Sequence, residues 1–257
     1  MKKQEIKVSQ IIYTKGKQMK NKKWKEFGKL TGTCYVNLGM GTANNEIWDR
    51  AFEVLKEIVE DGRDRQPEYV SELYLLDEIT DDEYDVQGWL EDYLDDLDMR
   101  ENKDKLLKVC DELLGMFCWE EDAPSDIKFL KSSALNALGR KEEAVEFCEE
   151  WLEEEPDNLV AVSANVYALL ATHDMEKAEK LIKQHIHEDT ECGEENNILF
   201  EAAVAYYKAA GNKKEMKRLD KAREEYYKSI EHLFREFGMI EDDEFIWNDE
   251  DEDEDFM

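Results

Sequence analysis

The chain is poor in residues that break or redirect a backbone, with three prolines and 12 glycines among 257 residues. A β-sandwich or barrel needs turn signals roughly every 8–12 positions, so that scarcity excludes one. Glu, Lys, Asp and Leu are the commonest residues with Ala next, and the share of Glu, Lys, Leu and Ala favours helix throughout. No apolar run approaches the roughly 18 residues that would suggest a membrane span. The Met-Lys-Lys start leads into Gln-Glu rather than an apolar stretch, so no secretory signal is expected and the protein is expected to be cytoplasmic. Cysteine is also sparse: Cys34, Cys110, Cys118, Cys148 and Cys192 are odd in number and lack a C-x-x-C pair, as expected of reduced thiols. Cys110 and Cys148 read as core packing.

Catalytic signatures are missing too. There is no P-loop, G-x-S-x-G or H-E-x-x-H pattern. His185 and His187 lie near Glu188, Asp189 and Cys192, but residues two apart point to opposite sides of a helix. They read as polar residues finishing a helix whose C-terminal dipole is negative. Carboxylates are so abundant that no pair stands out as an acid and base couple. No enzyme activity, metal or cofactor is expected.

Charge is present in excess and unevenly placed. The formal net charge is −31, yet Met1 to Lys29 holds ten lysines against Glu5 and Glu26, leaving −39 on the remainder. So acidic a body repels nucleic acid and anionic lipid, which leaves the lysine arm as the only plausible nucleic-acid contact. Trp24, Phe27 and Leu30 suggest that part of this arm is a docked helix. From Glu241 onward the chain carries eleven acids and no base, a self-repelling block expected to be flexible, interrupted by Phe245, Ile246 and Trp247.

The most legible stretch runs from Ser125 to Pro156. Phe129, Leu130, Ala134, Leu135 and Leu138 recur on one side of a helix that Gly139 stops. A second helix carries Ala144, Val145, Phe147, Cys148, Trp151 and Leu152 until Pro156 closes it. The stretch resembles a tetratricopeptide repeat, a helix pair of about 34 residues with small residues at the crossing, a turn glycine and a late proline. Ala178 lies 34 residues after Ala144 and His173 the same distance after Gly139, giving a second copy. A looser third copy puts Gly211 at its turn, the extra residues falling in HEDTECGEEN.

Upstream, Cys34, Val36 and Leu38 alternate before Gly39 and Gly41, which predicts a strand and a glycine turn. Strand, turn and helix N-terminus would open a small nucleotide-binding module, although the full G-x-G-x-x-G is missing. A helix follows from about Asn45 to Asp61, with Trp48, Phe52, Leu55 and Ile58 inward and Gly62 at its end. Pro67 suits the first turn of another helix, and Thr80 with Glu83 reads as a capping box for the next. Trp89, Tyr93, Leu94 and Leu97 are then expected to meet Leu106, Leu107, Cys110, Leu113 and Phe117 in a degraded repeat. A long last helix through Leu219, Tyr226, Leu233 and Phe237 reads as an end cap.

The expected fold is therefore all-α. A basic segment and glycine turn occupy 1–43, and a helix-pair solenoid 44–240 has its clearest repeats at 125–158, 159–192 and 197–238; an acidic tail covers 241–257. The resemblance implies a protein- or peptide-binding scaffold or adaptor whose groove is lined by the first helix of each pair. By that resemblance Phe129, Ser133 and Asn136, then Val160, Ser163 and Tyr167, then Glu201, Ala205 and Lys208 face the partner. Phe129, Ser133 and Ala164 stand where chaperone-binding relatives hold a terminal carboxylate, so acidic chaperone tails are not the expected ligand. The acidic face of Glu91 and Asp95 suits a basic or amphipathic segment. Two alternatives are a regulator touching nucleic acid through the lysine arm and the nucleotide-binding module around Gly39 and Gly41. The sequence does not specify an oligomeric state.

Overall fold

Large apolar residues at spacings of three and four run through the chain, and the elements follow them. A computed structural model describes residues 22–42, 44–100 and 102–237. Among the described residues there are eleven α-helices and one 3-10 turn, with no strand. The lysine arm before residue 22 and the acidic tail with Phe245, Ile246 and Trp247 lie outside them. The chain divides into two compact units, Met1–Ala144 and Val145–Met257.

The first unit begins with α1 (Lys22–Gly39) packed along α2 (Asn45–Arg65). The expected strand is instead the end of α1. Trp24, Phe27, Thr31 and Cys34 form its buried face, whereas Val36 and Leu38 are 58% and 66% exposed. Thr31 fills a core position between Phe27 and Cys34, so the governing period is helical rather than alternating. The turn at Gly41 (φ 65°) consequently joins two helices, and the strand needed by the nucleotide-binding alternative is absent. The boundary drawn at residue 43 falls between helices that share one core. Trp24 stacks on Tyr84 at 5.1 Å, and Phe27 meets Trp89 edge-on at 5.1 Å.

Gly62 does not end α2. It lies in the last turns at the point where Val70 presses in: an added Cβ would come within 2.5 Å of a Val70 methyl carbon. Pro67 heads only the 3-10 turn Pro67–Tyr69, followed by the short α3 (Tyr74–Glu78). Thr80 and Glu83 do not form the expected capping box, because the Thr80 hydroxyl donates to the carbonyls of Leu76 and Asp77. Helix α4 (Val86–Met99) is capped from Asp77 instead. It packs on α5 (Lys103–Leu114), burying the side chains expected between them. Helix α5 in turn lies against α6 (Ser125–Ala137), and α7 (Lys141–Glu154) carries the chain across the unit boundary.

In the second unit α8 (Leu159–Ala171) packs on both α9 (Met175–His185) and α10 (Asn197–Ala209), and α10 packs on α11 (Lys213–Glu236). Val162, Leu169, Ile182, Phe200, Tyr206 and Leu219 fill the core between them. Full burial of a side chain such as Phe200 contributes about 2 to 3 kcal/mol. Helix α8 is buried on nearly every side, as its run of Leu, Val and Ala requires.

The helix turns close alike. Gly139, His173 and Gly211 all take left-handed backbone, with φ of 75°, 62° and 70°. In each, the following N–H reaches back to the last turn: Arg140 to Leu135, Asp174 to Leu169 and Asn212 to Tyr207, each at 2.9 Å. Asp174 and Asn212 then cap α9 and α11 by accepting from Lys177 and Glu215 N–H groups. The expected polar end cap is modified at its end. Leu219 is the buried residue of α11, while Leu233, Phe234 and Phe237 are exposed among the described residues.

Candidate functional site

The residues expected to line a groove fall into both units. In the first, on α6, Ser133 is exposed and Phe129 and Asn136 are half-buried. The side-chain carbonyl of Asn136 is buried without a hydrogen-bond donor. In the second, Val160, Tyr167 and Ala205 are half-buried, and Glu201 and Lys208 are exposed. Ser163 corrects the expectation. It is fully buried, and its hydroxyl donates to the Leu159 carbonyl at 2.7 Å, so it presents nothing to a partner.

Within the second unit, Tyr167 and Glu201 do converge, because α8 packs on α10. Burial first, and then the charge of Glu201, push the Tyr167 phenol up to about 12, with Arg223 opposing. Arg223 was not singled out from the sequence. It pairs with Glu201 at 3.6 Å and lies 6.0 Å over the Tyr227 ring, compensating the one acid expected on this face.

In the first unit the acidic face of α4 sorts into satisfied and unsatisfied charges. Asp92 accepts from the Tyr35 hydroxyl at 2.8 Å. Asp96 pairs with Arg100, and Asp98 with Lys103. Glu91 and Asp95 are exposed, and among the described residues neither has a cationic partner. Beside Glu91 opens a cleft of about 120 Å³. Leu73, Leu90, Leu94 and Ile127 give it an apolar floor, and Glu91, Asp122 and Asp126 give it an acidic rim. Pockets that hold cofactor-sized molecules run to about 300–1,000 Å³, so this one suits a side chain or two.

Trp119 also lines the cleft. It takes a left-handed backbone (φ 58°), an outlier for a bulky residue. Flanking hydrogen bonds hold it there: Cys118 N–H donates to the Ser71 carbonyl at 2.7 Å, and Glu120 N–H to the Glu72 carboxylate at 3.1 Å. Strain of this kind persists only where surrounding contacts over-determine it. The ring meets Phe117 edge-on at 5.4 Å, and the buried indole N–H has no acceptor.

A larger hollow of about 350 Å³ is lined by α2 residues and the end of α5. Its cations are already engaged, Lys56 with Glu53 and Glu112, and Arg63 with the Met116 carbonyl. His185 ends α9 and is pushed down chiefly by burial, with Asp157 opposing and His187 adding to the shift. Among the described residues no group of three or more His, Cys, Asp or Glu side chains is placed to hold a metal ion. No helix among them is long and apolar enough to cross a membrane. No protein-family model matches the chain, and neither curated proteins nor solved structures give a match to it.

Proposed function

We propose that this chain is a scaffold or adaptor that binds a protein or peptide segment through a tetratricopeptide-like array of helix pairs. The observation that carries the reading is the repeated hairpin closure, a left-handed residue at 139, 173 and 211 followed each time by the same backward backbone bond. In repeats of this kind the first helix of each pair supplies the binding surface. Consistent with that, Phe129, Ser133, Tyr167, Glu201, Ala205 and Lys208 lie on first helices with surface left exposed. The net charge of −31 directs the choice of partner toward a basic or amphipathic segment. The reading requires no cofactor and no catalytic step.

A peptide array probed with the full chain tests it. Peptides that bind are remeasured with Phe129→Ala and Tyr167→Ala, each expected to weaken binding about tenfold or more while circular dichroism is unchanged. Unchanged affinity in both variants excludes the first-helix surface, and lost helicity assigns the two residues to the core.

A further inference from the structure

We infer that the cleft between α4 and the segment leading into α6 is a docking site for an apolar side chain of a basic partner peptide, flanked by lysine or arginine. The inference rests on the peptide-binding reading and gives it a second, more specific contact. Three observations in the first unit point the same way. The floor of Leu73, Leu90, Leu94 and Ile127 is apolar and about 120 Å³ in volume, the scale of side chains rather than of a cofactor. The rim acids Glu91, Asp122 and Asp126 have no cationic partner among the described residues, although their neighbours Asp96 and Asp98 do. Trp119 is held in strained backbone by bonds on both sides of it.

Charge and shape then divide the work. The floor favours any leucine-like side chain and discriminates weakly. The rim selects its neighbours, because three uncompensated carboxylates attract cations and repel acids. A partner with lysine or arginine on each side of one or two leucines satisfies both demands.

The test uses the full chain and two short labelled peptides, a leucine pair flanked by lysines and arginines and the same pair flanked by glutamates, measured by fluorescence anisotropy. The basic peptide is expected to bind and the acidic one to bind at least about tenfold more weakly, the gap narrowing as salt rises. The double variant Glu91→Lys with Asp122→Lys changes exposed residues only. It is expected to reduce or reverse the preference with an unchanged melting profile. Equal affinity for the two peptides, or no effect of the charge reversal, overturns the inference. So does zero-length coupling of an arm lysine to Glu91 or Asp122 within one molecule, which would make the chain's own arm the occupant. If Phe129→Ala and Tyr167→Ala abolish binding of the basic peptide while the charge reversal does not, the cleft fails and the broader reading stands. If no peptide of any composition binds, the reading itself fails.

Discussion

Asp77 caps a helix that begins nine residues after it, accepting from Val86 N–H at 2.6 Å and from Gln87 N–H at 3.0 Å. The adjacent residue, Asp85, makes no cap bond and turns left-handed at φ 44°. Asp77 is 5% exposed, so its carboxylate meets the positive end of α4 in a sheltered setting where two N–H groups depend on it.

Asp77→Ala leaves those two donors unpaired and is expected to destabilise the fold by about 2 kcal/mol in denaturant unfolding. Asp77→Asn should recover part of the loss, because an amide oxygen still accepts. Asp85→Gly, which relieves the left-handed backbone, should be neutral or stabilising. A loss at position 85 as large as that at 77 would refute the long-range cap.

His173 occupies the turn position that glycine holds at 139 and 211. A left-handed residue with a Cβ costs on the order of 1 kcal/mol, partly offset by the greater freedom of glycine in the unfolded chain. His173 is exposed, so little packing is lost on replacing it. His173→Gly is expected to add about 0.5 to 1 kcal/mol of stability. Gly139→Ala and Gly211→Ala are expected to remove a similar amount or more, and through conformation alone, since nothing lies within 4 Å of the Cβ either would gain. A lowered melting temperature for His173→Gly would exclude strain at this turn.

Gly62 sits inside a helix, where alanine is intrinsically better by about 1 kcal/mol. The clash with Val70 opposes that gain, because overpacking a formed core typically costs about 1–3 kcal/mol. Gly62→Ala alone is therefore expected to be destabilising. Combined with Val70→Ala it should become neutral or favourable relative to Val70→Ala alone. The coupling in that double-mutant cycle is the measured quantity, and strict additivity would mean the two residues do not compete for space.

The helix pairs were legible wherever local chemistry decides local shape. Gly139, Gly211 and their neighbours announce left-handed turns, and the spacing of Trp48, Phe52, Leu55 and Ile58 announces the buried face of α2. His173 was found only because it stands one repeat length from Gly139. Reading failed where a distant group decides. Thr80 and Glu83 match a capping pattern, yet the cap comes from Asp77, which no short window connects to Val86. Thr31 fails for a different reason: a polar residue occupies the core position that would have revealed the helical period of α1.

The cleft was only partly visible. Glu91 and Asp95 stood out by charge, but charge alone does not separate them from Asp96 and Asp98, which pair internally with Arg100 and Lys103. Trp119 gave no signal at all. Its backbone is set by Ser71 and Glu72, residues nearly fifty positions earlier, and its missing acceptor is a property of the folded surroundings. Ser163 shows the converse error, in which repeat register placed on a surface a residue that is fully buried with its hydroxyl bonded to the Leu159 carbonyl.

The last prediction concerns acid. Asp49 accepts from the Tyr93 hydroxyl and from Arg100, each at 3.0 Å, and pairs with Lys105. Burial by itself would raise its pKa, but the bonds from Lys105 and Arg100 outweigh burial and hold it below the ordinary value of 3.8. A carboxyl depressed in the folded state binds fewer protons there than in the unfolded chain, so its contribution is complete above the unfolded pKa. That contribution disappears as pH falls from 3.8 through the lower folded value. Asp49→Asn should therefore be less stable than the parent at neutral pH, leaving Arg100 and Lys105 short of a counter-charge. The difference should hold steady down to about pH 5 and shrink below 3.8 as the parent's own Asp49 takes up its proton. Urea midpoints measured across that range decide the matter. A difference that stays constant into acid would show that Asp49 acts through shape and neutral hydrogen bonding, and that its charge contributes nothing to joining α2, α4 and α5.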